Sequence, residues 1–366
     1  MRPPFRADHV GSLLRPSALK EAREQFKAGK ISRESLTRAE NKSIKAAVAM
    51  QEAAGLQSVT DGEFRRAFWH VDFLTGFEGI VATQSQYALK FRGEGGAESE
   101  TRSMMVANSK VRRTRPVMLE HFRFLKETTG KTAKLCIPAP TYLHMRGGRR
   151  LVNEKAYPDV QEFWSDITEA YRQEIFELSA AGLKYLQIDD VSFACLCDEG
   201  IRAQVKRDGE DPNKLPLLYS KIISSLLKGK PKDMGVTMHT CRGNHASMWM
   251  AEGGYDAVAE AVFQTEVDGF FLEYDTARAG GFEPLRFVPK GKKVVLGLVS
   301  TKTPVLEKKD ALKKRIDEAA KYVPLENLCL SPQCGFASSE AGNKLTEDDQ
   351  KRKLALVAET ASEVWG

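Results

Sequence analysis

The chain alternates between short, strongly apolar segments and longer segments in which apolar residues recur every three or four positions. Eight short segments are candidate strands: 7–12, 57–63, 134–140, 185–190, 235–240, 269–274, 293–300 and 327–335. Several of them are apolar at almost every position, as strands covered on both faces are. Helical spacing is clear in 43–55, 162–182 and 310–323. Eight strand–helix repeats predict an α/β fold, a single (β/α)8 TIM barrel formed by residues 1–366.

One segment interrupts this alternation. Residues 84–116 contain two strand-like runs on either side of a turn rich in Gly, Glu and Ser, and this pattern is typical of a β-hairpin. The segment follows the candidate strand 57–63, so it belongs to the loops that gather over the carboxyl ends of the barrel strands. We therefore predict a β-hairpin inserted after the second strand. It either covers the mouth of the barrel or is a surface excursion without a role.

The composition is that of an ordinary soluble globular protein, with 42% hydrophobic and 28% charged residues. The net charge of +6 is spread along the chain, whereas a nucleic-acid site needs a clustered basic face, so we expect no nucleic-acid partner. The local run of Arg112, Arg113 and Arg115 is either a solvated loop or an anchor for an acidic ligand group. No signal-peptide core and no stretch of 18 apolar residues is visible. We expect a cytoplasmic protein without a membrane partner, whose six cysteines are free or metal-bound.

Polar residues accumulate where the candidate strands end. Chemistry in a barrel of this kind lies at the carboxyl ends of the strands, and a chain without a site would scatter such residues over both rims. The residues at these ends are Gly11, Ser12, Asp61, Glu63, Asp189, Asp190, His239, Cys241, Glu273, Asp275, Ser300, Lys302, Gln333 and Cys334. The sequence therefore predicts a functional site at one rim.

The segment MHTCRGN places His239 and Cys241 two positions apart at the end of a candidate strand. Residues at this spacing project to the same side, so the pair is either two metal ligands or a catalytic Cys–His pair. Together with Glu273 and Cys334 from later strand ends, it makes a four-donor set suited to zinc. The spacing alone does not decide, because lone cysteines are commonly buried as apolar residues. Glycine-rich nucleotide motifs and a nucleophile elbow are absent from the sequence.

Seven segments in order carry a family resemblance. They are HVGSLLRP (9–16), FKAGKIS (26–32), GLQSVTDGEFRR (55–66), AAGLKYLQIDD (180–190), HTC (239–241), FFLEYD (270–275) and SPQCGF (331–336). Over nearly its whole length, the chain resembles the C-terminal catalytic half of cobalamin-independent methionine synthase. The resemblance implies one catalytic barrel domain that transfers a methyl group to homocysteine and forms methionine.

The resemblance also implies roles for individual residues. Ser12 matches the serine near the carboxylate of the thiol amino acid, and Glu63 and Asp189 match the catalytic-site carboxylates that hold its ammonium group. Hydroxyl donors at one end and paired carboxylates at the other suit a zwitterionic substrate. The zinc ligands of the family match His239, Cys241, Glu273 and Cys334.

The chain departs from the family in features that concern the methyl donor. Full-length members have a duplicated N-terminal half that is missing here. The segment GLVSTKTP (297–304) lacks the histidine that in the family serves proton transfer to the departing folate. We therefore expect methyltetrahydrofolate to be a poor donor, which leaves open another methyl donor or a protein that delivers it.

Three alternative functions remain open at this point. Within the family, the same zinc chemistry adds a thiol such as coenzyme M to an epoxide. A related barrel architecture catalyses uroporphyrinogen decarboxylation without a metal. A binding protein with a structural zinc site would hold the metal with four fixed ligands.

Overall fold

The computed structural model describes residues 2–366, and the side chains of these residues apart from 86 and 87. The strands, in chain order, are β1 (Ser58–Val59), β2 (Glu78–Arg92), β3 (Glu98–Arg112), β4 (Thr132–Pro138), β5 (Tyr185–Asp190), β6 (Gly235–Thr240), β7 (Gly269–Glu273), β8 (Lys293–Val299) and β9 (Leu328–Pro332). Seven of them form one curled sheet in the order β1-β4-β5-β6-β7-β8-β9. Every neighbouring pair in it is parallel, so the carboxyl ends meet at one rim.

Helices connect most of these strands and cover the sheet. They are α1 (Ser17–Lys27), α2 (Arg33–Ala53), α3 (Val71–Leu74), α4 (Leu119–Thr128), α5 (Tyr142–Met145), α6 (Val160–Ala180), α7 (Ser192–Cys195), α8 (Glu199–Arg207), α9 (Leu215–Leu226), α10 (Ala259–Phe263), α11 (Lys309–Ala320) and α12 (Glu347–Trp365). Gly55 and Gly182, just past α2 and α6, have φ angles of 90° and 102°, which suit a glycine after a helix end. Among residues 2–366, no helix has the length and apolarity needed to span a membrane.

The amino-terminal rim of the sheet holds a buried polar network. Lys134, on β4, donates a hydrogen bond from Nζ to Oδ1 of Asp8 over 3.0 Å. The hydroxyl of Tyr185, on β5, donates to Oδ2 of the same carboxylate over 2.7 Å. These groups satisfy one another's hydrogen-bonding capacity, so the network at this rim is structural. The buried polar groups without hydrogen bonds that are described below lie at the opposite rim.

The predicted first strand, residues 7–12, is not a strand in the structure. Ala7 forms an isolated parallel bridge with Leu330 of β9, and the neighbouring N–H of Asp8 donates to the Leu330 carbonyl over 3.0 Å. The φ angle of Gly11 is 133°, a conformation that glycine adopts and that ends an extended run. The prediction of eight strands was wrong on this point, and the sheet is a curled, barrel-like arrangement of seven strands.

Strands β2 and β3 form a separate antiparallel sheet between β1 and β4 in the chain. They extend from Glu78 to Arg112, whereas the sequence predicted a hairpin over 84–116. The backbone of Arg92, at the end of β2, exchanges hydrogen bonds of 2.7 and 2.8 Å with Trp249. This contact fixes the tip of the β2–β3 pair against the loop that follows β6.

Arg113, in the basic run at the end of β3, pairs with two carboxylates of α6. The Nε atom of Arg113 lies 2.6 Å from Oε2 of Glu174 on α6, and its Nη2 atom pairs with Glu177 on the same helix. A charge-assisted pair of this kind fixes geometry. Arg113 therefore anchors the end of β3 to α6, a structural role that neither alternative for the basic run included.

Candidate metal centre and ligand cavity

Four potential metal donors converge at the carboxyl rim. His239 is the penultimate residue of β6, Cys241 follows that strand, Glu273 ends β7 and Cys334 follows β9. Their donor atoms all lie within 4.8 Å of one another, and all four side chains are buried. The two sulfur atoms are 3.5 Å apart. Residues from three separate strands thus form one compact set of nitrogen, sulfur and oxygen donors.

The hydrogen-bonding state of this cluster fits a metal ion. Within the described part of the chain, both ring nitrogens of His239 and the Oε2 atom of Glu273 are buried without a hydrogen-bond partner. Unpaired buried polar atoms carry a desolvation penalty, which a bound ion would remove. Two sulfurs bound tetrahedrally to zinc lie about 3.8 Å apart, close to the 3.5 Å between Cys241 and Cys334. The four residues could therefore hold a zinc ion.

The two thiols of the cluster have opposite pKa shifts. The hydrogen bond from Cys241 holds the pKa of the Cys334 thiol well below its usual range. The same contact, together with burial, raises the pKa of Cys241 well above its usual range. Burial lowers the pKa of His239, but the neighbouring Cys334 thiolate raises it, and the net direction is upward. Cys334 is therefore the more acidic of the two thiols.

Three basic side chains lie near the cluster. The Nη2 atom of Arg278 is 3.8 Å from Oε2 of Glu273. The guanidinium of Arg242 is fully buried, lies 4.5 Å from the ring centre of Tyr255, and has no hydrogen-bond partner among residues 2–366. Lys302 is also buried, and its charge lowers the pKa of Glu273, opposing the larger effect of burial, which raises it. These cations offset the negative charge that thiolates and a carboxylate would bring.

A pair of buried carboxylates lies next to the cluster, where Asp189 of β5 is the register partner of His239 on β6. Oxygen atoms of Glu63 and Asp189 lie within 4.8 Å of each other and of the Cys136 sulfur. Burial raises the pKa of Glu63 to about 7 and that of Asp189 to about 6. Asp189 is oriented by a hydrogen bond of 2.6 Å from Nε2 of Gln187. Because burial disfavours their charged forms, this pair would bind a cation strongly at a pH where both are ionised.

Glu63 has an unusual backbone conformation that directs its side chain. Its φ angle is 61°, and that of the preceding Gly62 is 65°. The turn is held by a hydrogen bond of 2.9 Å from the Glu63 N–H to Oδ1 of Asp61. A non-glycine residue in this region costs on the order of 1–3 kcal/mol, and such strain concentrates at functional sites. The turn therefore stores strain at one of the two carboxylates.

The donor cluster and the carboxylate pair line the same cavity. Its inner lining includes Ser12, Glu63, Asp189, His239, Cys241 and Cys334. Ser12 lies against Gly335, where a Cβ atom would collide with the Ser12 hydroxyl, so the absence of a side chain at this position keeps the hydroxyl in place. The structure thus brings the predicted substrate-binding residues and three of the four predicted metal ligands to one cavity. Glu273 belongs to the donor cluster but does not line the cavity.

The outer wall of the cavity was not identified from the sequence. Trp69, His70 and Tyr142 pack against one another, with ring centres 4.2 to 5.6 Å apart. The remaining outer wall includes Leu89 and Phe91 from β2, and Thr101 and Ser103 from β3. Arg146 also lines it, and donates from Nη1 to the Ser103 carbonyl over 2.8 Å. The β2–β3 pair therefore forms part of the ligand cavity. Aromatic residues before α3 were the available sequence signal, but their spacing does not reveal their partners.

Other strand-end residues serve different purposes. The Oδ1 atom of Asp190 accepts a hydrogen bond of 2.9 Å from the N–H of Phe193, which fixes the start of α7. The Oε1 atom of Gln333 accepts one of 2.6 Å from the N–H of Thr301. Ser300 and Lys302 line a neighbouring cavity together with Trp249 and Arg278. Position at a strand end was therefore not sufficient to predict a place in the ligand cavity.

The fold and the cluster define an α/β protein with a candidate metal centre at the carboxyl rim of a parallel sheet. The chain belongs to the family described as "Cobalamin-independent synthase, Catalytic domain", whose sequence profile matches residues 5–355. Protein YxjG of Bacillus subtilis is 45% identical over 100% of this chain and 96% of its own length. The 5-methyltetrahydropteroyltriglutamate–homocysteine methyltransferase of Thermotoga petrophila is 24% identical over 91% of this chain and 42% of its own length.

Solved structures with the same architecture include a putative vitamin-B12 independent methionine synthase from Listeria monocytogenes. It is 38% identical, has a TM-score of 0.79, and the match covers 100% of this chain and 99% of that one. A B12-independent methionine synthase from a Shewanella species, in complex with selenomethionine, is 18% identical with a TM-score of 0.71, covering 98% and 97% of the two chains. The second likeness concerns the fold alone.

Proposed function

We propose that the protein is a zinc-dependent thiol methyltransferase that converts homocysteine to methionine. The observation that carries this proposal is the shared cavity, which is lined both by donors of a sulfur-rich metal-type cluster and by a buried carboxylate pair. A thiol amino acid has one group for each of these features, a sulfur and an ammonium. Membership in the cobalamin-independent synthase family supports the same reaction class.

His239, Cys241, Glu273 and Cys334 are proposed to hold one zinc ion. A free thiol has a pKa near 8.5 and is largely protonated at neutral pH. Bound zinc would supply the chemistry that favours the thiolate form of the substrate. The nitrogens of His239 and Oε2 of Glu273, which have no hydrogen-bond partner among the described residues, support this assignment.

The amino-acid part of the substrate is proposed to lie across the rest of the cavity. Glu63 and Asp189 bind the ammonium group, and Ser12 faces the carboxylate, so the side-chain sulfur points to the cluster. In the reaction a sulfur–methyl bond forms and the bond between the methyl group and its donor breaks. The bonding electrons remain with the donor, and the thiol proton leaves the substrate.

The donor is methyltetrahydrofolate or another methyl donor, bound directly or delivered by a partner protein. Addition of coenzyme M to an epoxide is the alternative within the family. It is less consistent with this cavity, because a sulfonate anion would face two carboxylates. Uroporphyrinogen decarboxylation would leave the donor cluster without a purpose. A purely structural zinc site is disfavoured by the position of three donors on a cavity wall. The proposal keeps a cytoplasmic location and no nucleic-acid or membrane partner.

The test measures zinc content and methionine formation on one protein sample. Homocysteine is combined in turn with methyltetrahydrofolate, methylcobalamin and a methylsulfonium compound. Methionine formation that disappears on chelation and returns with zinc supports the proposal. Zinc-loaded protein that forms no methionine from any of these donors contradicts it.

A further inference from the structure

The guanidinium of Arg15 joins three segments that carry residues of the site. Arg15 is 3% exposed, and burial lowers its pKa to about 10, so it remains charged near neutral pH. Its Nη1 atom donates to the carbonyls of Leu13 and Ala337 over 3.2 and 2.5 Å. Its Nη2 atom donates to the carbonyls of Glu63 and Arg66 over 2.9 and 3.2 Å. One buried side chain thus binds four backbone carbonyls.

The four carbonyls belong to segments that carry lining residues of the ligand cavity. The segments are the one that follows Ser12, the Glu63 turn (residues 61–66) and the Cys334 loop (residues 334–338). Within the described part of the chain, the cavity lining includes Ser12, Glu63 and Cys334, but not Arg15. Arg15 therefore acts on a ligand only through the residues that it holds.

The Glu63 turn is strained, so its conformation depends on the hydrogen bonds around it. The φ angles of Gly62 and Glu63 are 65° and 61°. A residue with a side chain keeps such a conformation only where the surrounding contacts impose it. Arg15 supplies one of these contacts, at the carbonyl of Glu63 itself. Loss of this contact would let the Glu63 carboxylate move relative to the donor cluster.

The same guanidinium holds the Cys334 loop. Its Nη1 atom binds Ala337 while its Nη2 atom binds Glu63, and the nitrogens of a planar guanidinium have a fixed separation. Arg15 therefore links a carboxylate that is proposed to bind the substrate ammonium to the loop of a proposed metal ligand. The distance between these two places corresponds to the distance between the ammonium group and the sulfur of a bound thiol amino acid.

We propose that Arg15 is a positioning residue that sets the length of the thiol amino acid accepted by the cavity, because it holds the Glu63 turn and the Cys334 loop at a fixed separation. The proposal rests on the proposed function, since it requires an ammonium group and a thiol bound at these two places. Homocysteine has one methylene group more than cysteine between the two groups. A fixed separation discriminates between these amino acids, whereas a loosened site discriminates less.

The test uses the full chain loaded with cobalt(II), whose visible absorption changes when a further sulfur binds. Homocysteine and cysteine are titrated into the wild type, Arg15→Met and Arg15→Lys, and the ratio of the two dissociation constants is compared. The wild type should favour homocysteine by roughly 10–200-fold, the usual effect of one methylene group, and Arg15→Met should lower this preference by at least about fivefold. A general loss of folded protein would weaken both thiols equally and leave the ratio unchanged.

Arg15→Lys separates charge from geometry, and it carries the test if Arg15→Met does not fold. Lysine keeps the positive charge but has a single nitrogen, which cannot reproduce the planar fork, so the preference should fall in this variant as well. The matched control is Arg202→Met, since Nη1 of Arg202 donates to the carbonyls of Leu196 and Pro212 over 3.1 and 3.4 Å. This control should keep the wild-type preference. A wild-type preference in either Arg15 variant, or an equal fall in Arg202→Met, would overturn the positioning role.

The result for the wild type distinguishes the two proposals. If homocysteine changes the cobalt spectrum of the wild type and the Arg15 variants keep the wild-type preference, the role of Arg15 is wrong and the proposed function stands. If neither thiol changes the wild-type spectrum, the thiol does not reach the metal. In that case both proposals fail.

Discussion

The Sγ atoms of Cys241 and Cys334 lie 3.5 Å apart, although β6 and β9, which they follow, are separated in the sheet by β7 and β8. A flat sheet would place strands three positions apart about 14 Å from each other. The contact is possible because the sheet curls and turns the carboxyl ends of its strands toward a common axis. The cluster therefore depends on the curvature of the whole sheet.

The four converging donors lead to a prediction about metal content. The protein should bind about one zinc per chain, and Cys241→Ser or Cys334→Ser should reduce that content strongly, because serine is a poor zinc ligand. The matched control is Cys197→Ser, since Cys197 is also buried but donates to the Phe193 carbonyl. Elemental analysis after dialysis measures the result. Full zinc occupancy in both cluster variants would show that the donor assignment is wrong.

Substrate recognition should be separable from metal binding. Asp189→Asn should keep its zinc and weaken homocysteine binding, because it removes one of two carboxylates that face the ammonium group. The loss of one partner from a desolvated charge pair costs on the order of 2–5 kcal/mol. Calorimetry with homocysteine and with a thiol that lacks the amino group checks this, since the second ligand should be much less affected. If coenzyme M were the natural thiol, the substitution would instead favour binding of that anion.

The raised pKa values predict a pH dependence of ligand binding. Burial raises the pKa of Glu63 to about 7 and that of Asp189 to about 6, so the pair carries protons in the free protein below these values. A cationic ammonium favours the ionised pair, so affinity should rise as pH increases from 5 to 8 and binding should release protons. Methionine is the suitable ligand, because it has no titrating thiol. A flat affinity profile, or no dependence of the binding heat on the buffer, would contradict this.

Arg242→Met should affect the zinc-loaded protein more than the metal-free protein. The guanidinium is fully buried and, among the described residues, has no hydrogen-bond partner. Zinc with two thiolates and one carboxylate carries a net negative charge that Arg242 offsets, whereas the metal-free cluster can instead take up protons. Urea unfolding with and without chelator should therefore give a smaller loss of stability without metal than with it. A larger loss in the metal-free state would show that Arg242 is a packing residue.

The identity of the donor can be tested by comparing rates. Transfer from methyltetrahydrofolate requires protonation of the departing folate, and a positioned general acid contributes roughly 10²–10⁴-fold. Segment 297–304 has no histidine, so methylcobalamin or a methylsulfonium compound should react faster than the folate. Folate turnover of about 1–10 s⁻¹, ordinary for enzymes, would contradict this.

The strand ends and their polar residues were predictable because both depend on local pattern. The apolar segments that lead to His239 and Glu273 form β6 and β7, and both residues lie at the carboxyl ends of these strands, as the sequence indicated. The grouping of Cys334 with them followed from one general rule, that parallel strands place their carboxyl ends on one rim. For these residues a correct strand order was enough to predict proximity.

The features that sequence reasoning missed depend on longer-range geometry. Residues 7–12 look like a strand, but the backbone angle at Gly11 is not visible in a hydrophobicity pattern. Arg242 and Arg278 follow strand ends as ordinary loop residues, and their burial against the cluster is decided by the paths of those loops. The contribution of β2 and β3 to the cavity depends on the contact between Arg92 and Trp249, two residues far apart in the chain.

The two walls of the cavity are built by two separate sheets, so a change in one wall need not alter the other. The inner wall belongs to the curled sheet, where any change in curvature would disturb all four donors at once. The outer wall includes residues of the β2–β3 pair, which forms its own two-stranded sheet. Substitutions at Leu89, Phe91, Thr101 or Ser103 can change the shape of the outer wall while the donor cluster stays intact. The shape of the outer wall can therefore change without any change in the four donors.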